Sequence, residues 1–244
     1  MSRLYYDLHV HSCLSPCGDD DMTPANIAGM AKVKGLDMIA LTDHNSSKNC
    51  PAFFEACREY GIIPVAGMEL TTAEDIHVVC LFPTLDRALD FDSELDRYRI
   101  LIKNKAEIFG EQHILDKDDN IIGNEEYLLS NATMLPIEQA CELAKSFGAA
   151  VYPAHIDRDS NGIIATLGML PDTPRFTAVE YHLSDNRQSF EKRFPELESK
   201  KVICSSDAHY LWDIHERENF LELDADAESA AKKLIGYLNE GIIA

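Results

Sequence analysis

An α/β barrel is the fold class this sequence predicts, and three observations predict it. Apolar runs of strand length recur along the chain, most of them followed by a polar tip and then a helical segment. Five of those tips carry His, Asp or Glu, and the C-terminal ends of barrel strands open onto one face, so tips scattered in sequence converge in space. The length of 244 residues suits one barrel-sized domain over residues 1–244.

The first strand is Tyr5-Tyr6-Asp7-Leu8-His9-Val10-His11. Alternation places Asp7, His9 and His11 on one face and Leu8 and Val10 on the other. Imidazole and carboxylate turned inward need a partner, because unpaired buried polar groups are costly, and a metal ion is the natural one. Pro16 and Gly18 then break the chain into a loop, and Thr23 caps a helix closed by Gly35. Residues 36–41 form a second strand tipped by Thr42-Asp43-His44-Asn45. A helix over 51–60 stops at Gly61, and a third strand over 62–68 ends at Glu69. Residues 76–82 follow too closely for a helical crossover. They are therefore expected antiparallel to the third strand, with a turn around Ala73 and His77 opposite Glu69.

Residues 84–109 have a helical, amphipathic pattern, with Leu85, Leu89, Leu95, Tyr98, Ile102 and Ile108 inward. A hairpin over 112–123 marks an excursion from the main fold at about 111–130. A helix over 136–147 leads to a strand over 149–154 tipped by His155, and a short helix over 163–170 to a strand over 176–181 followed by His182. A charged helix over 190–200 precedes the last strand, 201–206, tipped by Asp207 and His209. A terminal helix spans 226–239.

The chain carries 42 acidic against 22 basic residues, a net charge of −20. That balance argues against a nucleic-acid polymer or an anionic membrane as partner, since both need a basic footprint. Bound divalent cations would still make an acidic pocket attractive to anions. No run of 18 apolar residues is present and no signal segment opens the chain, so a cytoplasmic protein is expected. Seven cysteines, scattered through apolar stretches, suit buried thiols in a reducing compartment.

The converging tips are rich in imidazole with a few carboxylates, a donor set that suits Zn, Mn or Fe. They exceed what one ion needs, so two or three divalent ions are expected, with a bridging carboxylate such as Glu69. Asp7 and Asp43 are expected to orient ligands rather than bind metal. His113 and His215 are expected on the surface or in structural roles.

The motifs Asp7-Leu-His-Val-His11, Leu41-Thr-Asp-His44, Gly67-Met-Glu69, Ile76-His77, Pro153-Ala-His155 and Ser206-Asp-Ala-His209 together resemble the PHP family, named for its polymerase and histidinol phosphatase members. The resemblance runs from residue 4 to about 215. It implies a distorted (β/α)7, TIM-like barrel with a trinuclear centre, and assigns His9, His11, His44, Glu69, His77, His155, Asp207 and His209 as ligands. A ninth ligand is expected after the first motif, where the chain departs from the family pattern with Ser15-Pro16-Cys17-Gly18-Asp19. Spacing points near Cys17 and chemistry to Asp19; Asp19 is the choice here, and a thiolate at Cys17 would favour zinc.

Clustered divalent ions lower the pKa of a shared water and clamp a tetrahedral phosphate, so hydrolysis of a small soluble phosphate ester is the expected reaction. Histidinol phosphate or a nucleotide would fit the resemblance. Arg158 is the candidate to neutralise a phosphate oxygen, the plainer role being a rim ion pair with Asp157 or Asp159. His182 is either a proton donor to the leaving oxygen or an ordinary pocket histidine. Loops 45–50, 157–162 and 182–188, with the 111–130 excursion, should set specificity. The competing functions are a nuclease on short single-stranded nucleic acid and a non-catalytic metal-binding module.

Overall fold

The computed structural model describes residues 2–223 and 229–240. In chain order the elements are β1 (Ser2–Asp7), α1 (Pro24–Lys34), β2 (Met38–Leu41), α2 (Cys50–Tyr60), β3 (Ile63–Thr71), β4 (His77–Phe82), α3 (Leu85–Leu95), α4 (Ala106–Phe109), β5 (His113–Leu115), β6 (Ile121–Asn124) and α5 (Ile137–Ser146). Then follow β7 (Ala150–Pro153), α6 (Ile163–Leu167), β8 (Ala178–Tyr181), α7 (Arg187–Arg193), β9 (Lys201–Cys204), β10 (Phe220–Leu223) and α8 (Ala230–Asn239).

Six strands make one curled sheet in the order β10-β1-β2-β3-β4-β7, and β8 pairs with β9 in parallel. Irregular bonds beyond the strand ends close the curl. Ile156 N–H donates to Glu180 O at 2.8 Å between β7 and β8, and Val10 bridges Ala208 between β9 and β1. The result is the distorted α/β barrel the sequence predicts. β1, β2, β3 and β7 run one way, and β4 and β10 run the other.

Two apolar layers follow from strand alternation. Met38, Ala40, Val65, Val79, Leu81, Ala150, Tyr152, Ala178 and Ile203 face the barrel interior, and Leu234 and Leu238 of α8 close its floor. Ile39, Leu41, Ala66, Met68, Cys80, Val151 and Val179 face outward under the helices.

Several expectations need correcting. The helix expected over 84–109 stops at Leu95. Beyond it, the Arg99 guanidinium binds Asp92, Asp96 and Asn45 O, and Arg99 and Lys103 form isolated backbone bridges to Thr133 and Tyr127. Ile102 and Ile108, expected inward, are exposed. β4 is antiparallel to β3, but its register sets His77 opposite Thr71 and Val79 opposite Glu69. The charged helix near 190–200 is a shorter α7 followed by a 3₁₀ segment over Pro195–Ser199. β10, pairing antiparallel with β1, was not anticipated. Of the terminal helix, α8 spans Ala230–Asn239, and residues 226–228 lie outside the described residues.

Candidate metal centre

The strand tips meet at one end of the barrel. β1 ends at Asp7, but the chain stays extended through His11, whose N–H donates to Ala208 O at 3.0 Å. His9 and His11 are fully buried and turn their Nε2 atoms to within 3.2 Å of each other. Glu69 points inward from β3, on the row of Val65 and Gly67, and is the hub. Its Oε1 lies 2.8 Å from His77 Nδ1, 3.1 Å from His155 Nε2 and 3.3 Å from His9 Nε2. Its Oε2 lies 3.0 Å from His44 Nδ1 and 3.2 Å from His11 Nε2. Asp207 Oδ1 completes the near side at 3.1 Å from His11 and 3.3 Å from His9, while His209 stacks on His11 with ring centroids 4.3 Å apart.

The reversed β4 explains how His77, at the start of a strand, joins residues at the ends of others. The short connection after β3 returns the chain to the same barrel end, and the imidazole spans the two-residue register offset to reach Glu69.

Three overlapping groups can each hold a cation: His9, His11, Glu69 and Asp207; His44, Glu69 and His77; and His11, His44 and His209. The donor chemistry fits. Buried His44 Nδ1, His77 Nδ1, His155 Nδ1, Glu69 Oε2 and Asp207 Oδ1 make no well-aligned hydrogen bond, even where an ion-pair neighbour is close, which fits donor atoms aimed at a shared point rather than at one another. Strain concentrates here too. His155 and Asp207 adopt positive φ, 26° and 53°, and so does Asn45, next to His44, at 47°.

The electrostatics show what the chain does to balance two carboxylates in a low-dielectric site. Burial disfavours imidazolium at His9, but Glu180, Asp207 and Glu69 together hold its pKa well above the usual value. His11 and His44 are likewise pulled down by burial and lifted more strongly by the carboxylates, to about 9. Glu69 and Asp207, despite burial, are held well below the carboxylate range by the surrounding imidazoles. His209 is pushed down to about 3 by burial and by His11, and His77 falls through burial. Protons on three imidazoles thus supply positive charge that cations could supply instead.

The structure brings the eight motif residues together and leaves Asp19 apart. Asp19 Oδ1 accepts from Asp21 N–H at 3.0 Å within its own turn, and the carboxylate belongs to none of the three groups. Arg158 lies on the rim, bonded to Asp207 rather than to Asp157 or Asp159, with its other nitrogen 3.3 Å from His182 Nδ1. Burial and Arg158 lower the His182 pKa. Asp7 orients no imidazole; it accepts from Ser206 N–H at 3.1 Å and His215 N–H at 3.0 Å, fixing the segment after β9. Asp43 acts through Ser15, whose hydroxyl donates to Asp43 at 2.8 Å and lies 2.9 Å from His11 Nδ1. The residue that orients His9 is Glu180, which the sequence reading missed. Its Oε1 lies 2.8 Å from His9 Nδ1 and accepts His155 N–H at 3.1 Å. Its signal was available: a carboxylate on the inward row of β8, alternating with Val179 and Tyr181.

Residues 7–108 match the family model described as the PHP domain. That stretch, less than half of the chain, is similar to a PHP domain. Residues beyond that match supply His155, Glu180, Asp207 and His209 to the same centre. Among curated relatives, DNA polymerase III PolC-type of Thermotoga petrophila is 31% identical over 39% of this chain and 6% of its own length. A 5'-3' exoribonuclease of Haemophilus influenzae is 33% identical over 31% of this chain and 28% of its own. An uncharacterised protein of Methanocaldococcus jannaschii is 34% identical over 28% of this chain and 44% of its own. The chain thus spans less than half the length of each of these relatives. The lesion-specific endonuclease Q of Pyrococcus furiosus shares the fold, with a TM-score of 0.65 at 18% identity over 96% of this chain and 56% of that one.

One expectation is overturned. Net charge argued against a nucleic-acid polymer, yet a structure of endonuclease Q, which matches this fold, holds a 27-mer duplex with an abasic lesion at its active site. The charge of a whole surface does not fix the sign at a site whose side chains can hold cations. No helix among the described residues is long and apolar enough to cross a membrane.

Proposed function

We propose that the chain is a metal-dependent phosphoric ester hydrolase formed by one domain, working on a phosphate seated between the His/Glu/Asp cluster and Arg158. The observation that carries this is the packing of six imidazoles around Glu69 and Asp207, with buried donor atoms that make no well-aligned hydrogen bond and a guanidinium on the rim. His9, His11, Glu69 and Asp207 would hold one cation; His44, Glu69 and His77 a second; His11, His44 and His209 a third. Zn, Mn or Fe suits these donors. Bound there, such ions supply a water of lowered pKa and positive charge for phosphate oxygens.

The chain's own groups do the rest. Glu180 and Ser15 hold His9 and His11 in single ring orientations. Arg158 would pair a phosphate oxygen beyond the cluster. The lowered pKa of His182 keeps its ring neutral near pH 7, which suits accepting a hydrogen bond or proton rather than delivering one. A cavity of about 480 Å³ opens past Asp207 and His209, walled by Leu183, Tyr210, Asp213 and His215, and would take the leaving group. Seven unpaired cysteines accord with work in the reducing cytoplasm.

Such a cavity suits a small ester such as a nucleotide or histidinol phosphate. The likeness to endonuclease Q and to an exoribonuclease favours a second substrate class, a phosphodiester at the end of a short nucleic acid. Phosphate or nucleotide release from phosphomonoesters, bisphosphates and short oligonucleotides separates the two. Release should require added Mn²⁺ or Zn²⁺, vanish with chelator and in His9→Ala, and lose roughly tenfold to a hundredfold in kcat/KM in Arg158→Ala. No release by metal-filled protein on any member of the panel would refute the hydrolase.

A further inference from the structure

We infer that the substrate is a phosphodiester carrying a second phosphate on the arm that does not leave, and that this arm lies in a cavity walled by Phe190 and Phe194 with Arg193 as its anion-binding residue. The inference rests on the hydrolase reading. It goes beyond it in choosing the substrate class and in assigning residues that lie outside the matched stretch 7–108.

Three cavities meet at Arg158. One of about 140 Å³ lies over the cluster, lined by His44, Glu69, His77 and His155. The cavity of about 480 Å³ runs past Tyr210, and another of about 260 Å³ lies against α6 and α7. Arg158 lines all three, and it is the one residue that does. A phosphate held between the cluster and Arg158 therefore has two further cavities open to it. A monoester has one ester arm and fills one of them. A diester has two arms and fills both.

The lining of the third cavity states the chemistry of its arm. Phe190 and Phe194 are half-buried, with ring centroids 6.0 Å apart, and Phe190 meets the edge of buried Tyr181 of β8 at 6.1 Å. Faces braced in this way take a flat ring. The Arg193 guanidinium lies over the Phe194 ring, 5.1 Å from its centroid. Among the described residues no carboxylate is within ion-pair distance of Arg193, whereas Arg158 is bonded to Asp207 and Arg187 to Glu191. In a chain of net charge −20, a planar fork of donors without a carboxylate suits a phosphate from outside. Asp159, the carboxylate that lines the same cavity, can accept from a ligand hydroxyl. A ring face, a hydroxyl acceptor and a phosphate donor together describe a nucleotide arm.

Water then adds to phosphorus as the P–O bond to the leaving arm breaks. The leaving arm departs as an alcohol carrying one of the water's protons, and the phosphate stays as a monoester on the arm beside Arg193. Arg193 lines neither the cluster's cavity nor that of the leaving arm, so its contribution falls on KM rather than kcat. Because Arg193 is exposed, that contribution should weaken as salt rises.

The test uses the metal-loaded full chain and three chromogenic esters that share p-nitrophenolate as leaving group: p-nitrophenyl phosphate, the p-nitrophenyl ester of thymidine 5′-phosphate, and the same diester with a 3′-phosphate on the thymidine. In the wild type kcat/KM should rise along that order, the added 3′-phosphate raising it about tenfold through KM. Arg193→Ala should abolish that last preference, and Arg193→Lys, which keeps the charge, should restore part of it. An equal preference in wild type and Arg193→Ala overturns the assignment of Arg193. Faster release from the monoester than from either diester overturns the substrate class, and both results leave the hydrolase standing. No release from any of the three overturns the inference alone if other phosphomonoesters are still hydrolysed, and the hydrolase with it if they are not.

Discussion

The two ends of the barrel use the same strands for opposite purposes. At the floor, Met38, Val65, Leu81 and Tyr152 interlock with Leu234 and Leu238 of α8, all buried. At the rim, the same alternation along β3 and β8 delivers Glu69 and Glu180 instead of aliphatics. The floor gains free energy from removing apolar surface from water, while the rim holds buried charge, donors without well-aligned hydrogen bonds and positive φ at His155 and Asp207. Stability is thereby separated from chemistry within single strands: a residue's distance along the strand decides which it serves.

Substitutions at each end should break that separation in different ways. The largest effect on stability is expected at the floor. Leu234→Ala should lower unfolding free energy by about 2–5 kcal/mol in denaturant titration, with metal content per folded molecule unchanged. Coupled loss of metal would show the two ends to be one unit. At the rim, Glu180→Gln removes the charged partner of His9 Nδ1, so metal affinity or activity should fall roughly tenfold to a hundredfold while the denaturation midpoint of chelated protein moves little. Unaltered affinity would mean that His9 needs no orienting carboxylate.

The smallest effect is one of pH. In chelated protein His11 and His44 titrate at about 9 against an ordinary 6.5. Folded pKa values above unfolded ones give stability that is complete below about 6.5 and lost as pH rises through about 9. Thermal midpoints of the chelated protein should fall across that window, and those of metal-loaded protein should not, because bound ligands have already given up their protons. Loading near pH 7 should release protons, detected calorimetrically as a dependence of binding heat on buffer ionisation enthalpy.

The rim was more legible in the sequence than its surroundings. His9, His11, His44, Glu69, His155 and Asp207 follow apolar runs, and a polar residue after such a run is visible without a structure. Glu180 was passed over because it lies inside its strand, where only the inward row marks it. Residues 96–109 misled for the converse reason. Tyr98, Ile102 and Ile108 keep helical spacing, but the Arg99 guanidinium captures Asp92 and Asn45 O, a tertiary interaction that local pattern does not encode. The expected ninth ligand was undecidable from residue type, since carboxylate and thiolate both suit metal; that Asp19 turns away follows from how the chain folds after Gly18, which residue type does not encode.

The reversed strand carries a consequence for how this chain can change in length. Surface turns ordinarily tolerate insertion and deletion. The connection between Thr71 and His77 should not, because losing or gaining one residue there would slip β4 by one position and turn His77 to the outer face of the barrel. A five-residue connection that contributes nothing to the His/Glu/Asp cluster is therefore a ruler, and its length, rather than its composition, is what the cluster's geometry depends on.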